Sequence, residues 1–234
     1  MRRTDEDRWL ASRFAPPRAR AQLIAIYAVN YEISRTAEMV REPGVGAIRL
    51  AWWRDALADV AAGRPERGHP ALRALAESGA PASALEALQT VAEAHAADFE
   101  AAPLADWKAV QAYVDATAGA VFRAALATCG APDAEHVARA AGQAWGLAGL
   151  ARVRAHWRAG GRTGWAQGDL LEGAAQSYAE ARVLARQLPS AAFPAIGYLA
   201  TLPGYLGALR KGQGATSPLA RRFTLIAASA TGRI

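Results

Sequence analysis

Between one proline or glycine and the next, the chain consists of alanine-rich stretches whose apolar residues recur near the 3.6-residue period. That pattern leaves little but packed helices to fold into. About a quarter of the 234 residues are alanine, 52% are hydrophobic and 21% charged, a mix too apolar for disorder and too rich in alanine for a sheet protein. Thr4 as N-cap, with Asp5, Glu6 and Asp7 in a first turn, predicts a short helix carrying Arg8, Trp9 and Leu10. Pro16-Pro17 starts a long helix from Arg18 to about Glu42, which Pro43-Gly44 ends. Further helices are expected over Ile48–Ala62, Ala82–Ala101, Ala105–Thr128, Asp133–Ala159, Leu170–Leu188, Ala191–Leu209 and Ser217–Ala230. No repeat of fixed period and no linker interrupts them, so the expectation is one all-α bundle of about eight to ten helices over residues 1–234.

Charge is divided unevenly along this bundle. Up to Glu135 there are 18 acids and 15 bases, a net of −3; from His136 onward there are 3 acids and 12 bases, a net of +9. The second part wants an anionic neighbour: the first part, an anionic lipid surface or a diphosphate. Nucleic acid is not expected, because the arginines are scattered and follow no reading motif. The N-terminus has no apolar run of signal type, and the single cysteine, Cys129, permits no intramolecular disulfide, so the chain reads as cytoplasmic, peripheral to an inner membrane at most. Ala191–Leu209 is uncharged for 19 residues, the length of a membrane span, yet Pro194, Pro203 and three glycines interrupt it and a core segment is expected.

None of the usual chemical signatures is present. The four histidines show no metal spacing, and Cys129 has no histidine in a nucleophile arrangement. Gly44-Val45-Gly46 and Gly160-Gly161 read as turns. The acid pairs Asp55/Asp59 and Glu38/Glu42 read as solvated faces. Adjacent helical residues point about 100° apart, so Trp52 and Trp53 cannot both face one core, and one of them is expected toward a cavity or partner.

The most distinctive text is Tyr27-Ala28-Val29-Asn30-Tyr31-Glu32-Ile33-Ser34-Arg35, followed by Arg49-Leu50-Ala51-Trp52-Trp53-Arg54 and then by Gly142-Gln143-Ala144-Trp145-Gly146-Leu147 leading to Arg152. It resembles the squalene/phytoene synthase family, with Arg20 also at a family arginine position, and implies a single isoprenoid-synthase-like bundle around a deep apolar cavity. Active members join two prenyl diphosphates head to head, using aspartates at i and i+4 on facing helices to seat Mg²⁺ ions that withdraw the diphosphate. Here the first aspartate motif falls on Ser34, Arg35 and Glu38, and the second on Arg152, Val153, His156 and Trp157. One carboxylate remains where the family has several. The resemblance extends to the branch that lacks these aspartates, homologues of a mitochondrial complex I assembly factor.

What the resemblance implies is a non-catalytic homologue that binds an apolar, isoprenoid-like ligand or assists respiratory complex assembly. Tyr27, Asn30, Tyr31, Arg49, Trp52 and Trp53 are the candidate cavity or partner contacts, and no metal or other cofactor is expected. An active prenyltransferase, which would need Mg²⁺, is the rival; a helical scaffold whose cavity is filled by side chains is the third reading. Expected partners are the apolar ligand, an anionic membrane surface met by Arg210, Lys211, Arg221 and Arg222, or a respiratory-chain protein.

Overall fold

A computed structural model describes residues 4–40, 42–64, 68–100, 104–159, 167–213 and 216–234, with side chains outside 154–159 and 167–168, and among them there is helix and no strand. The helices are α1 (Glu6–Ser12), α2 (Pro17–Ser34), α3 (Thr36–Met39), α4 (Pro43–Ala61), α5 (Pro70–Ser78), α6 (Ala82–Ala94), α7 (Trp107–Val114), α8 (Ala120–Thr128), α9 (Glu135–Ala159), α10 (Gln167–Leu184), α11 (Phe193–Ile196), α12 (Leu202–Arg210) and α13 (Pro218–Thr231). The cap of α1 is Asp5, whose carboxylate accepts from the Arg8 amide at 3.3 Å, one residue later than expected. Proline stands in the first turn of α2, α4, α5, α11, α12 and α13, where its missing N–H leaves no bond unmade.

α2 lies against α5, α6 and α8; α6 against α4 and α8; and α9 runs along α10. Their shared core holds Leu23, Ile26, Tyr27, Ile33, Trp53, Leu57, Leu72, Leu88, Phe122 and Tyr198, all fully buried. Two glycines in α9 bring it unusually close to the preceding elements. A Cβ on Gly142 would stand 2.4 Å from the Cα of Gly119, and one on Gly146 would stand 2.5 Å from a Val114 methyl. Gly119 ends a π-helical turn, Asp115–Gly119, between α7 and α8. Arg123 fastens that turn to α9, bridging Asp115 (2.9 and 3.0 Å) and both Glu135 oxygens (2.7 and 2.8 Å).

Several elements depart from expectation. The long helix expected to Glu42 ends at Ser34, and Thr36–Met39 is a separate turn. The next helix begins at Pro43, five residues earlier than periodicity suggested, because Pro43-Gly44 initiates α4 as well as terminating what precedes. α5 was not anticipated at all: nine residues closed by Gly79 in the left-handed region give too short a window for periodicity. Ala191–Leu209 is not one helix but α11 and α12 interleaved with 3₁₀ turns at Ser190–Ala192 and Gly197–Thr201, since Pro194 and Pro203 each restart the backbone. By length and composition Ser190–Arg210 would reach across a membrane, but 78% of its apolar window is buried within the fold.

Candidate functional site

α1, α2, α9, α12 and α13 converge on a pocket of about 900 Å³. α1 contributes Asp5, Glu6, Asp7 and Arg8; α2 contributes Asn30, Tyr31 and Ser34; α9 contributes Trp145 and Arg152; Tyr205, Arg221 and Arg222 complete it. Ser34 and Arg152, one from each former aspartate motif, therefore share one wall system. Ser34 Oγ donates to the Tyr31 carbonyl at 3.1 Å, and the Arg152 guanidinium lies 5.5 Å from the Tyr205 ring centroid.

Arg8 is, with Asp7, one of two buried charges in the site. Its side chain is 7% exposed and its guanidinium stands 5.3 Å from the ring centroids of Tyr27 and Tyr198 and 5.9 Å from that of Trp145. The rings are locked together: Trp145 meets Tyr198 edge-on at 4.8 Å, Phe122 stacks on Tyr198 at 5.2 Å, and Tyr27 meets it edge-on at 6.3 Å. The negative faces of such rings favour a cation more strongly once water is excluded. Burial pushes the Tyr198 phenol up to about 12, with Arg8 opposing the shift, so the ring stays neutral and Asp5, 3.2 Å from Arg8, is the carboxylate that balances it.

A clasp between α1 and α13 forms part of the lining. Glu6 accepts from Arg222 Nε at 3.0 Å and from Arg221 Nη2 at 3.1 Å; Asp7 accepts from the Tyr205 hydroxyl and lies 3.3 Å from Arg221 Nε. The two acids respond oppositely. Arg222's hydrogen bond, against burial and with help from Arg221, holds the Glu6 carboxyl below its ordinary value, whereas burial raises that of Asp7 in spite of Tyr205 and Arg221.

The donor set does not fit the magnesium that the fold family uses. Arg35, turned onto the Tyr31 ring at 5.3 Å and 3.7 Å from Glu32, supplies a cation where a ligand would be, and Glu38 is exposed on α3 away from the pocket. Val153 is partly exposed and aliphatic. His156 and Trp157 lie outside the residues whose side chains are described. The three carboxylates that do line the cavity are consecutive, so they fan around α1, and each is engaged by arginine. Among the described residues no group of three or more His, Cys, Asp or Glu side chains is placed to hold a metal ion.

The remaining candidates divide between two places. Asn30 and Tyr31 line the polar cavity and Tyr27 forms the box beneath it. Arg49, Trp52 and Trp53 instead border a separate apolar groove of about 400 Å³ with Val40, Val45, Ile48 and His69. Trp53 is fully buried, Trp52 half-buried, and both rings meet His69 edge-on at 4.8 and 6.3 Å. Arg20, read from the resemblance, donates to the carbonyls of Arg13 and Ala15 and so braces the α1–α2 turn. His95 and Asp98 form a buried pair at 2.8 Å joined by Tyr113, and Cys129 is a buried thiol that burial pushes up to about 11. Asp59 pairs with Arg64, and Asp55 with Arg54, as solvated faces do.

The clasp was missed in the sequence although its signal is there: three consecutive acids at one end and Arg221-Arg222 at the other. Tyr198 and Tyr205 carried no such signal, since one lies in the Gly197–Thr201 3₁₀ turn and the other in α12. No curated protein matches the chain. The squalene/phytoene synthase family model, however, matches residues 1–170. With α2 and α9 carrying both of that family's motif regions to one cavity, the chain belongs to the squalene/phytoene synthase family.

Proposed function

We propose that the protein is a non-catalytic squalene/phytoene synthase homologue that acts through what it binds, as a pseudoenzyme, rather than through ionisation of a prenyl diphosphate. One observation carries the reading: every carboxylate lining the cavity is held by an arginine of the same chain, while Ser34 on one wall and Val153, next to Arg152, on the other stand where the family resemblance places carboxylates. A divalent ion would have to break the clasp to find ligands. The filling of the interior by Arg8, Tyr27, Phe122, Trp145 and Tyr198 supports assistance of respiratory complex assembly, or a helical scaffold with a filled cavity, over a carrier of a long isoprenoid chain. The groove beside Trp52 is where this reading places an apolar ligand or protein segment. Its setting in this reading is the cytoplasm, next to the inner membrane.

The test is pyrophosphate release from farnesyl and geranylgeranyl diphosphate with Mg²⁺. None above the uncatalysed background is expected from the protein or from Glu38→Ala. Steady release that requires Mg²⁺ and is abolished by Glu38→Ala or by Asp5→Asn would establish the prenyltransferase instead.

A further inference from the structure

α13 is apolar on both sides. Its inner side seats Leu225 and Ala228, packed toward α1 and the Gly197–Thr201 turn. Its outer arc carries Leu219, Ala220, Phe223, Ile226, Ala227 and Ala230, all exposed, with the three large side chains 62%, 71% and 59% accessible, and no charge interrupts it. The hydroxyls bordering this arc do not offer themselves to water: Thr224 donates to the Ala220 carbonyl, Thr231 to Ala227 and Ser229 to Ile226. Arg221 and Arg222 turn away from it into the clasp with Glu6 and Asp7.

Cations gather at the last turn of this helix, and two more precede it in the sequence. From Ala181 to Ile234 there are seven bases and no acid. Arg182, Arg186 and Arg233 surround a cleft of about 500 Å³ against the last turn of α13, and Arg210 and Lys211 close α12 just before it. Among the described residues Arg186, Arg210, Lys211 and Arg233 make no ion pair with a carboxylate, and Arg182 donates from Nε to the Ile234 oxygen at 3.0 Å. A second copy of the chain docked on the same face would bring two such cationic segments together, whereas an anionic bilayer presents acyl chains to the apolar arc and headgroups to the cations.

We propose that α13 lies in the interface of an anionic phospholipid membrane, with Leu219, Phe223 and Ile226 inserted below the headgroups and Arg182, Arg186, Arg210, Lys211 and Arg233 among them. The surface differs from the one that net charge alone suggests, because Arg221 and Arg222 are already spent on α1. It does not depend on what the pocket does.

The full chain is sedimented with phosphatidylcholine vesicles and with vesicles that also contain phosphatidylglycerol, at low and high salt. Binding to the anionic vesicles is expected, weakening about fivefold for each cation removed in Arg186→Ala and Arg233→Ala and falling at least tenfold in the Phe223→Glu/Ile226→Glu variant. Unchanged thermal melting of that variant shows that the loss is not unfolding. Binding that survives the double substitution, equal binding to both vesicles, or binding to neither overturns the proposal. So does a dimer in solution that Phe223→Glu dissociates, which would assign the face to a second copy.

Discussion

A guanidinium buried against three aromatic rings is held by terms that only burial makes large. Each ring contributes about 0.5–2 kcal/mol, and Asp5 supplies the one compensating charge. Truncation of Arg8 to alanine removes these contacts, leaves a hole between Tyr27 and Tyr198, and strands Asp5. We expect a loss of about 2–4 kcal/mol, read as a fall in Tm of roughly 5–15 °C. Arg8→Met keeps the stem and is expected to recover about half of it; equal Tm values for wild type and Arg8→Ala would show that the box does not bear on stability. None of this was visible in the sequence, where Arg8 stood merely as one residue of a short opening helix. Tyr27 and Asn30 were singled out on the residues that carry the family resemblance, but Tyr198 enters from a stretch whose composition says only that it is buried, and nothing local announces that a cation will be set against it.

Helix α9 shows what an element can and cannot disclose in advance. Its alanine periodicity marked Asp133–Ala159 almost to the residue, because the turns through Ala151 bury one face, α9 lying against α8 and α10. The break of α2 after Ser34 could not be read the same way: no proline or glycine stands there, and the local sequence would continue the helix. The glycines of α9 are equally mute until their neighbours are known. Gly142 faces the backbone of Gly119, so Gly142→Ala must push two backbones apart and should cost about 1–3 kcal/mol. Gly149, on the same helix, has nothing within 4 Å of its would-be Cβ, and Gly149→Ala should be neutral or stabilise by up to about 1 kcal/mol. Denaturant unfolding of the pair checks this, and equal effects of the two substitutions would remove the close crossing as their cause.

At the scale of the molecule, the division of charge along the chain is folded back on itself only where Arg221 and Arg222 of α13 meet Glu6 and Asp7 of α1. The imbalance was legible; the partner was not, because contact between the ends is a property of topology rather than of composition. The clasp also sets an acid limit. Glu6 and Glu135 are held below the usual glutamate value of 4.5 by hydrogen bonds from Arg222 and Arg123, so the stability they contribute is complete above that value and is lost as pH falls through their folded values. Asp7, raised by burial, runs the other way: its contribution is present below its ordinary value of 3.8 and is lost as pH rises through the folded one, which offsets part of the acid loss. Glu6→Gln should therefore flatten the dependence of Tm on pH below about 5 while lowering Tm near neutrality by no more than about 4 °C, a partly exposed pair being worth at most about 1 kcal/mol. An unaltered pH profile in that variant would mean that Glu6 is not a source of the acid sensitivity. The joining of the first and last helices has a further consequence for the order of events during synthesis. Residues 1–170 carry the family match, yet Tyr198, Tyr205, Arg221 and Arg222 come after them. On a translating ribosome Arg8 and its acidic neighbours emerge about two hundred residues before Arg221 and Arg222 and wait, with one wall of the aromatic box and the whole of the clasp still unmade, until those residues follow.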